Sequence, residues 1–243
     1  MNIKEKRIVI TGGTSGIGYE IVKQLHPHNE LIVISRDSTK INALAKKFNG
    51  VVTIQADLSN LKEVETIADS IVKRFESIDV LINNAASQHT PTFLDNEFDY
   101  ESISKEITLN FTSVCCLSYL LLPALLHEKK SVILNMNSGL GLAPKTSSAI
   151  YCGTKGAINI FSQSLRYQLE DSNISVQQAF LALVDTAMTK GRGKNKLTAT
   201  EAASMIIRGI EQDVAENYIG KVKLLRALLR ISPSLAKRIL KNN

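Results

Sequence analysis

Residues 8–18 read Ile8-Val9-Ile10-Thr11-Gly12-Gly13-Thr14-Ser15-Gly16-Ile17-Gly18. A β-branched run, a glycine turn and a renewed apolar spacing describe a strand, a tight turn and a helix start. Gly12 permits the turn, Gly16 lets backbone approach a pyrophosphate, and Gly18 lets the helix pack on the strand. The helix N-terminus then offers free N–H groups and partial positive charge to phosphates. Thr14, Ser15 and Ile17 fill the loop and complete the expected cofactor contacts. The spacing is T-G-x-x-x-G-x-G rather than G-x-G-x-x-G, and a glycine cluster alone fits a plain strand-to-helix turn equally well. Its place directly after the first strand favours the dinucleotide reading.

Outward from this turn, short strand candidates alternate with longer helical patterns. The strands are 7–11, 31–35, 51–55, 80–83, 131–135 and 175–179. The helices are 16–27, 38–48, 60–75, 101–127 and 151–171, and Thr198-Ala199-Thr200-Glu201 reads as a capping box opening a further helix to about residue 213. Near-continuously apolar strands alternating with helices imply an α/β, doubly wound, Rossmann-like parallel sheet with helices on both faces. Ligands bind beyond the carboxyl ends of such strands. The irregular stretches 84–100, 136–150 and 180–197 should therefore border the site.

Composition agrees with a globular protein. The 243 residues suit a single hydrophobic core, and no stretch approaches the roughly 18 apolar residues of a membrane span. Three cysteines without CxxC spacing argue against a disulfide framework, and no address signal is visible, so the expected compartment is the cytoplasm. No His/Cys/Asp cluster has metal-ligand spacing, so no catalytic metal is expected. The net charge of +6 is concentrated in residues 217–243, which hold seven basic residues and no acid. The catalytic region is not shaped for nucleic acid. We accordingly divide the chain into one domain, 1–215, and a basic amphipathic tail, 216–243.

The second strand ends at Ser35-Arg36, where sites selective for NAD carry an acid for the ribose 2′-hydroxyl. Ser35 stands there, and the Arg36 guanidinium suits a 2′-phosphate, which favours NADP(H) with NAD(H) as the alternative. Arg36 also reads as a solvated surface residue, and Asp37 leaves the register open. Asp57, with Leu58, follows the third strand, as an adenine contact or as a loop cap.

Tyr151-Cys152-Gly153-Thr154-Lys155 puts a phenol and an ammonium one helical turn apart on one face. A neighbouring cation lowers a phenol from its ordinary ~10, which makes it a usable acid/base. Ser138, 13 residues upstream, is placed to hold a substrate oxygen beside it.

These elements in this order resemble the single-domain short-chain dehydrogenases: Thr11–Gly18, Asp57-Leu58, Asn83-Asn84-Ala85-Ala86, Asn110, Ser138 and Tyr151/Lys155. The resemblance covers roughly residues 5–215. It implies that Tyr151 exchanges a proton with the substrate and Ser138 stabilises its oxygen. It further implies that Lys155 lowers the tyrosine and binds the nicotinamide ribose, and that Asn110 holds a water in a proton relay at a helix kink. Asn84, Ala85, Val184 and Thr186 join the cofactor contacts on the same ground. Two departures stand out: Leu181-Ala182-Leu183-Val184-Asp185-Thr186 lacks the family's Pro-Gly, and Ala86 replaces a glycine. Asn83 to Thr90, Leu165 to Leu169 and Tyr218 to Leu240 of the tail also resemble oxidoreductases encoded beside lipoteichoic-acid D-alanylation genes.

Leu140, Leu142, Leu183 and Met188 predict a mostly apolar pocket for a small to medium substrate, with Gln88 supplying polarity. His89 reads as a second polar contact or an exposed loop residue. The tail's apolar repeat at Val222, Leu225, Leu228 and Leu229 fits core packing, a subunit contact in a homo-oligomer (dimer or tetramer), or a peripheral contact with anionic lipid. Two functional classes follow: an oxidoreductase interconverting carbonyl and alcohol, or an NADP(H)-binding sensor or scaffold with little turnover.

Overall fold

The computed structural model describes residues 1–241 of the chain. Six strands fall where the sequence places them: β1 (Arg7–Thr11), β2 (Glu30–Ser35), β3 (Val52–Gln55), β4 (Val80–Asn83), β5 (Ser131–Ser138) and β6 (Ile174–Leu181). Around them run α1 (Gly16–Leu25), α2 (Ser38–Lys47), α3 (Leu61–Arg74), α4 (Tyr100–Ile107), α5 (Ser113–Leu120), α6 (Leu122–Leu125), α7 (Ala149–Gln168) and α8 (Ala199–Glu211). The sheet order is β3-β2-β1-β4-β5-β6, all parallel, and the strand order reverses between β1 and β4.

Alternation along each strand divides the core. Ile8, Ile10, Val33, Ile82 and Leu134 pack with Ile21 and Val22 of α1 and Ala203 and Ile206 of α8. Val9, Ile32, Ile34, Leu81 and Ile133 pack with Val64, Ile67 and Ile71 of α3 and Leu117 of α5. Both faces are covered, which is why the strands are apolar throughout.

The tail begins differently from the expectation. Glu216–Ile219 forms β9 and pairs in parallel with β6 as the seventh strand, Gln178 facing Glu216 and Leu181 facing Ile219. Its sequence, Glu-Asn-Tyr-Ile, is half polar because it is an edge, so no apolar run announces it. Two helices follow, α9 (Val222–Ile231) and α10 (Pro233–Lys241). Val222 and Ala236 are buried, and the Thr146 hydroxyl donates to the Lys241 carbonyl at 2.6 Å. A two-stranded ribbon, β7 (Val184–Asp185) with β8 (Leu197–Thr198), closes the loop after β6.

β5 and β6 run longer than their apolar patterns. Asn135 and Asn137 lie inside the sheet, where Asn135 accepts from Asn83 and donates to Ser162, both at 2.9 Å. Asn137 donates to Gln178 at 2.8 Å. With both amide groups of Asn135 and of Asn137 satisfied, these buried residues do not end the strand. The helix expected over 101–127 is instead broken twice. A π-turn at Thr108–Thr112 follows α4, and Leu121 separates α5 from α6 just before Pro123, which cannot donate to the ladder. The capping box at Thr198 forms as read, with Glu201 reciprocating.

Candidate active site

The carboxyl ends of β1, β4, β5 and β6 open onto one cleft of about 1400 Å³ at the point where the strand order reverses. Its floor is the glycine turn. Gly12 and Gly16 have φ of +69° and +54°. A Cβ on Gly18 would stand 2.3 Å from the Gly12 carbonyl oxygen, so only glycine lets the first turn of α1 meet the loop. A Cβ on Gly16 would touch Thr186 at 3.2 Å, which places the loop after β6 over the turn. Gly13 had no role in the sequence reading, yet a Cβ there would lie 2.8 Å from Val33 of β2. That constraint comes from a neighbouring strand and leaves no local mark. These close approaches make a cradle that fits a pyrophosphate.

Thr11 and Asn84 hold the cradle. The Thr11 hydroxyl accepts from the N–H groups of Asn84 and Ala85, both at 2.9 Å. The Asn84 amide donates to the carbonyls of Thr11 at 2.9 Å and Gly12 at 3.1 Å. Asn84 lines the cleft, but its amide is already engaged by the turn. Thr14 and Ser35 hydroxyls meet at 2.9 Å. Arg36 is 76% exposed, with Nη1 3.6 Å from Asp57. Burial raises Asp57, but hydrogen bonds from the Ser59 hydroxyl and N–H and the Arg36 charge outweigh it and hold the carboxyl below its ordinary value. The loop-cap reading thus accounts for one Asp57 oxygen. Ser15, Ile17, Leu58, Val184 and Thr186 line the same cleft. Without Pro-Gly, the chain leaves β6 through Ala182-Leu183 and re-enters strand at Val184, whose carbonyl accepts from the Thr189 hydroxyl.

At the other end of the cleft stand Ser138, the last residue of β5, and Tyr151 and Lys155 on α7. The Ser138 hydroxyl accepts from the Leu140 N–H at 3.1 Å. Lys155 is 5% exposed, its Nζ lies 5.7 Å from the centre of the Tyr151 ring, and it donates to the Met136 carbonyl at 2.8 Å. Burial lowers its ammonium to about 8. Burial pushes the Tyr151 phenol up to about 12, with Ser138 and Arg192 opposing and Cys152 and Glu106 reinforcing; Lys155 is not among the causes.

Asn110 sits in the π-turn, the expected kink. Its side chain accepts from Ser87 N–H and donates to Ser87 carbonyl, both at 2.9 Å, and reaches Thr154 at 3.3 Å. One turn earlier lies Glu106, 1% exposed and raised by burial to about 7, with the His89 N–H 3.4 Å away. The sequence reading passed over Glu106. The available signal was its i−4 spacing from Asn110, which puts both on one helix face. Gln88 lines the cleft as read, donating to Ser148 at 3.1 Å and accepting from Arg192 at 2.9 Å. Arg192 and Lys145 are further residues the reading missed, because neither has motif spacing to the others.

A model of the short chain dehydrogenase family matches residues 6–197. Among curated proteins, the chain is 30% identical over 237 residues to the uncharacterized oxidoreductase DltE of Bacillus subtilis, covering 95% of this chain and 94% of that protein. It is 31% identical over 191 residues to the NADP-dependent 3-hydroxy acid dehydrogenase of Schizosaccharomyces pombe, covering 74% and 72%. A short-chain dehydrogenase from Sphingobium yanoikuyae, solved in complex with NADPH, superposes with TM-score 0.83 at 25% identity, covering 95% of this chain and 94% of that one. The chain belongs to the short-chain dehydrogenase family. It is an oxidoreductase of the class that acts on CH–OH and C=O groups.

Proposed function

We propose that this protein is an NADP(H)-dependent reductase of a small to medium, partly apolar carbonyl compound, running the reverse oxidation under opposite cofactor supply. The observation that carries the proposal is the convergence of Ser138, Tyr151 and Lys155 on the cleft whose floor is the glycine cradle. The cradle, Ser35 and Arg36 would hold the dinucleotide, with Val184 and Thr186 against its carboxamide. The nicotinamide supplies or accepts the hydride. Ser138 holds the carbonyl oxygen, and Tyr151 delivers the proton to it. Lys155, held by the Met136 carbonyl, is placed to bind a ribose hydroxyl and to draw the phenol down from about 12 once charge develops. Asn110 and the π-turn form the inner end of the proton path.

The choice of NADP(H) rests on Arg36, which is exposed at the cleft rim with Ser35 rather than an acid beside it. The NADPH-bound and NADP-dependent relatives agree with it. Exposed Tyr119 on α5 and Ile160 and Tyr167 on α7 support a homo-oligomer built on those faces. The test is NADPH oxidation against a panel of ketones and aldehydes. Turnover should fall by about 10²–10⁴-fold in Tyr151→Phe while NADPH affinity holds. A variant keeping half the wild-type rate would place the proton donor elsewhere, and no turnover with either cofactor would favour the sensor reading.

A further inference from the structure

The substrate end of the cleft is not uniformly apolar. Leu140, Leu183, Leu224 and Leu225 supply its walls, the last two from α9. Among them comes Lys145, half-buried and lining the cleft, with no acidic partner among the described residues. Arg192 lies close by. Its guanidinium donates to Gln88 at 2.9 Å and to the Met188 carbonyl, and Gln88 in turn donates to Ser148. Ser148 is buried and held at φ +61° immediately before α7, whose first turn carries Tyr151. One hydrogen-bonded chain therefore joins the three loops that border the site and holds a guanidinium whose charge acts on the Tyr151 phenol. Such strain in a non-glycine residue persists only where its surroundings hold it.

Lys145 faces a partly enclosed, mostly apolar space, and the charge of Arg192, held beside it by Gln88 and Met188, repels its ammonium. Burial lowers the Lys145 ammonium and the Arg192 charge lowers it further. An anion between them offsets that repulsion and favours the charged form of Lys145. No acid of this chain fills the role among the described residues. Asp185, the nearest acid in sequence to Arg192, is paired with Lys196 at 2.8 Å.

We propose that Lys145 and Arg192 form an anion subsite, so that the substrate carries a carboxylate or phosphate near its carbonyl and an apolar chain running along Leu140, Leu183 and α9. This rests on the reductase reading for the word substrate, but the subsite itself is a property of the cleft. Arg192 bonds Gln88 through one terminal nitrogen and the Met188 carbonyl through the other, and of its five N–H groups the remaining ones are available to an oxyanion.

The test is calorimetric binding to the NADPH-loaded protein of three eight-carbon probes: octanoate, octyl phosphate and octanamide. One or both anions should bind at least about 10-fold more tightly than the amide, as a hydrogen bond to a charged group implies. Which anion wins identifies the headgroup. Lys145→Met keeps the aliphatic stem and should abolish the preference without changing octanamide affinity; Arg192→Gln should do the same. Equal binding of all three probes would overturn the proposal, whether or not any carbonyl is turned over. So would a Lys145→Met protein whose anion preference is intact, or one whose loss is matched by an equal loss of NADPH affinity. If turnover is found, a 3-oxo acid should be reduced at least about 10-fold more efficiently than its methyl ester, and Lys145→Met should level the two. Failure of the reductase reading appears instead as no turnover of either, with probe binding unaffected.

Discussion

Arg36 lies between two demands. It is 76% exposed, yet 3.6 Å from Asp57. A 2′-phosphate offers it a stronger, bidentate partner. Arg36→Ala should therefore weaken NADPH by about 10- to 150-fold and hardly touch NADH; equal losses for both, by fluorescence titration, would make it a structural residue. Glu106 makes a different prediction. Burial raises its folded carboxyl to about 7, above the ordinary value of 4.5. Between those pH values the folded state binds more protons than the unfolded one, so stability falls as pH rises through that window. Lys155, lowered to about 8 from 10.5, acts oppositely and restores stability as pH rises through 8–10.5. These two groups place a stability minimum near pH 7–8. Glu106→Gln should flatten its acid side in urea unfolding between pH 4.5 and about 7, and an unchanged slope would remove Glu106 as the cause. Tyr151, Lys155 and Ser138 were legible because their spacing is local. Glu106, Lys145 and Arg192 were not, because their neighbours arrive from other elements.

At the scale of elements, the glycine turn shows which constraints a sequence displays. Gly18→Ala drives a Cβ to 2.3 Å from backbone, and backbone cannot swing aside. We expect a loss of about 1–3 kcal/mol and a weakened cofactor site. Gly156 of α7 meets nothing within 4 Å. Gly156→Ala should stabilise by about 0.5–1 kcal/mol through helix propensity. Guanidinium melts of both variants give the comparison, and a neutral Gly18→Ala would deny the close approach. The six central strands announced themselves because burial on both faces demands apolar runs. The π-turn did not, since its residues keep a helical pattern and only the hydrogen-bond register changes. The ends of β5 and β6 were hidden by amides whose partners lie across the sheet.

For the whole molecule, the fold class and the position of the cleft were legible, and the role of the chain's basic tail was not. A basic, apolar repeat is compatible with several surfaces, and nothing local in it indicates which one it covers. In the structure Leu224, Leu225 and Leu240 line the cleft. Removing residues 222–243 should raise KM for apolar substrates by roughly 10-fold or more, at about 1.5 kcal/mol for each leucine taken out of the cleft wall, while NADPH affinity holds. Co-sedimentation with anionic vesicles at low and high salt checks the separate expectation of lipid binding; protein that stays in the supernatant in every condition ends it. The bond from Thr146 to the Lys241 carbonyl joins the last turn of α10 to the loop that carries Lys145. With Ala236 buried on the same helix, this bond holds α10 against the loop side of the cleft. A ligand too long for the closed cleft would therefore have to free α10, at the cost of a local opening. Amide exchange along α10 should then slow with ligands that fit and quicken with longer ones; exchange that ignores ligand length would remove the tail as a gauge of size.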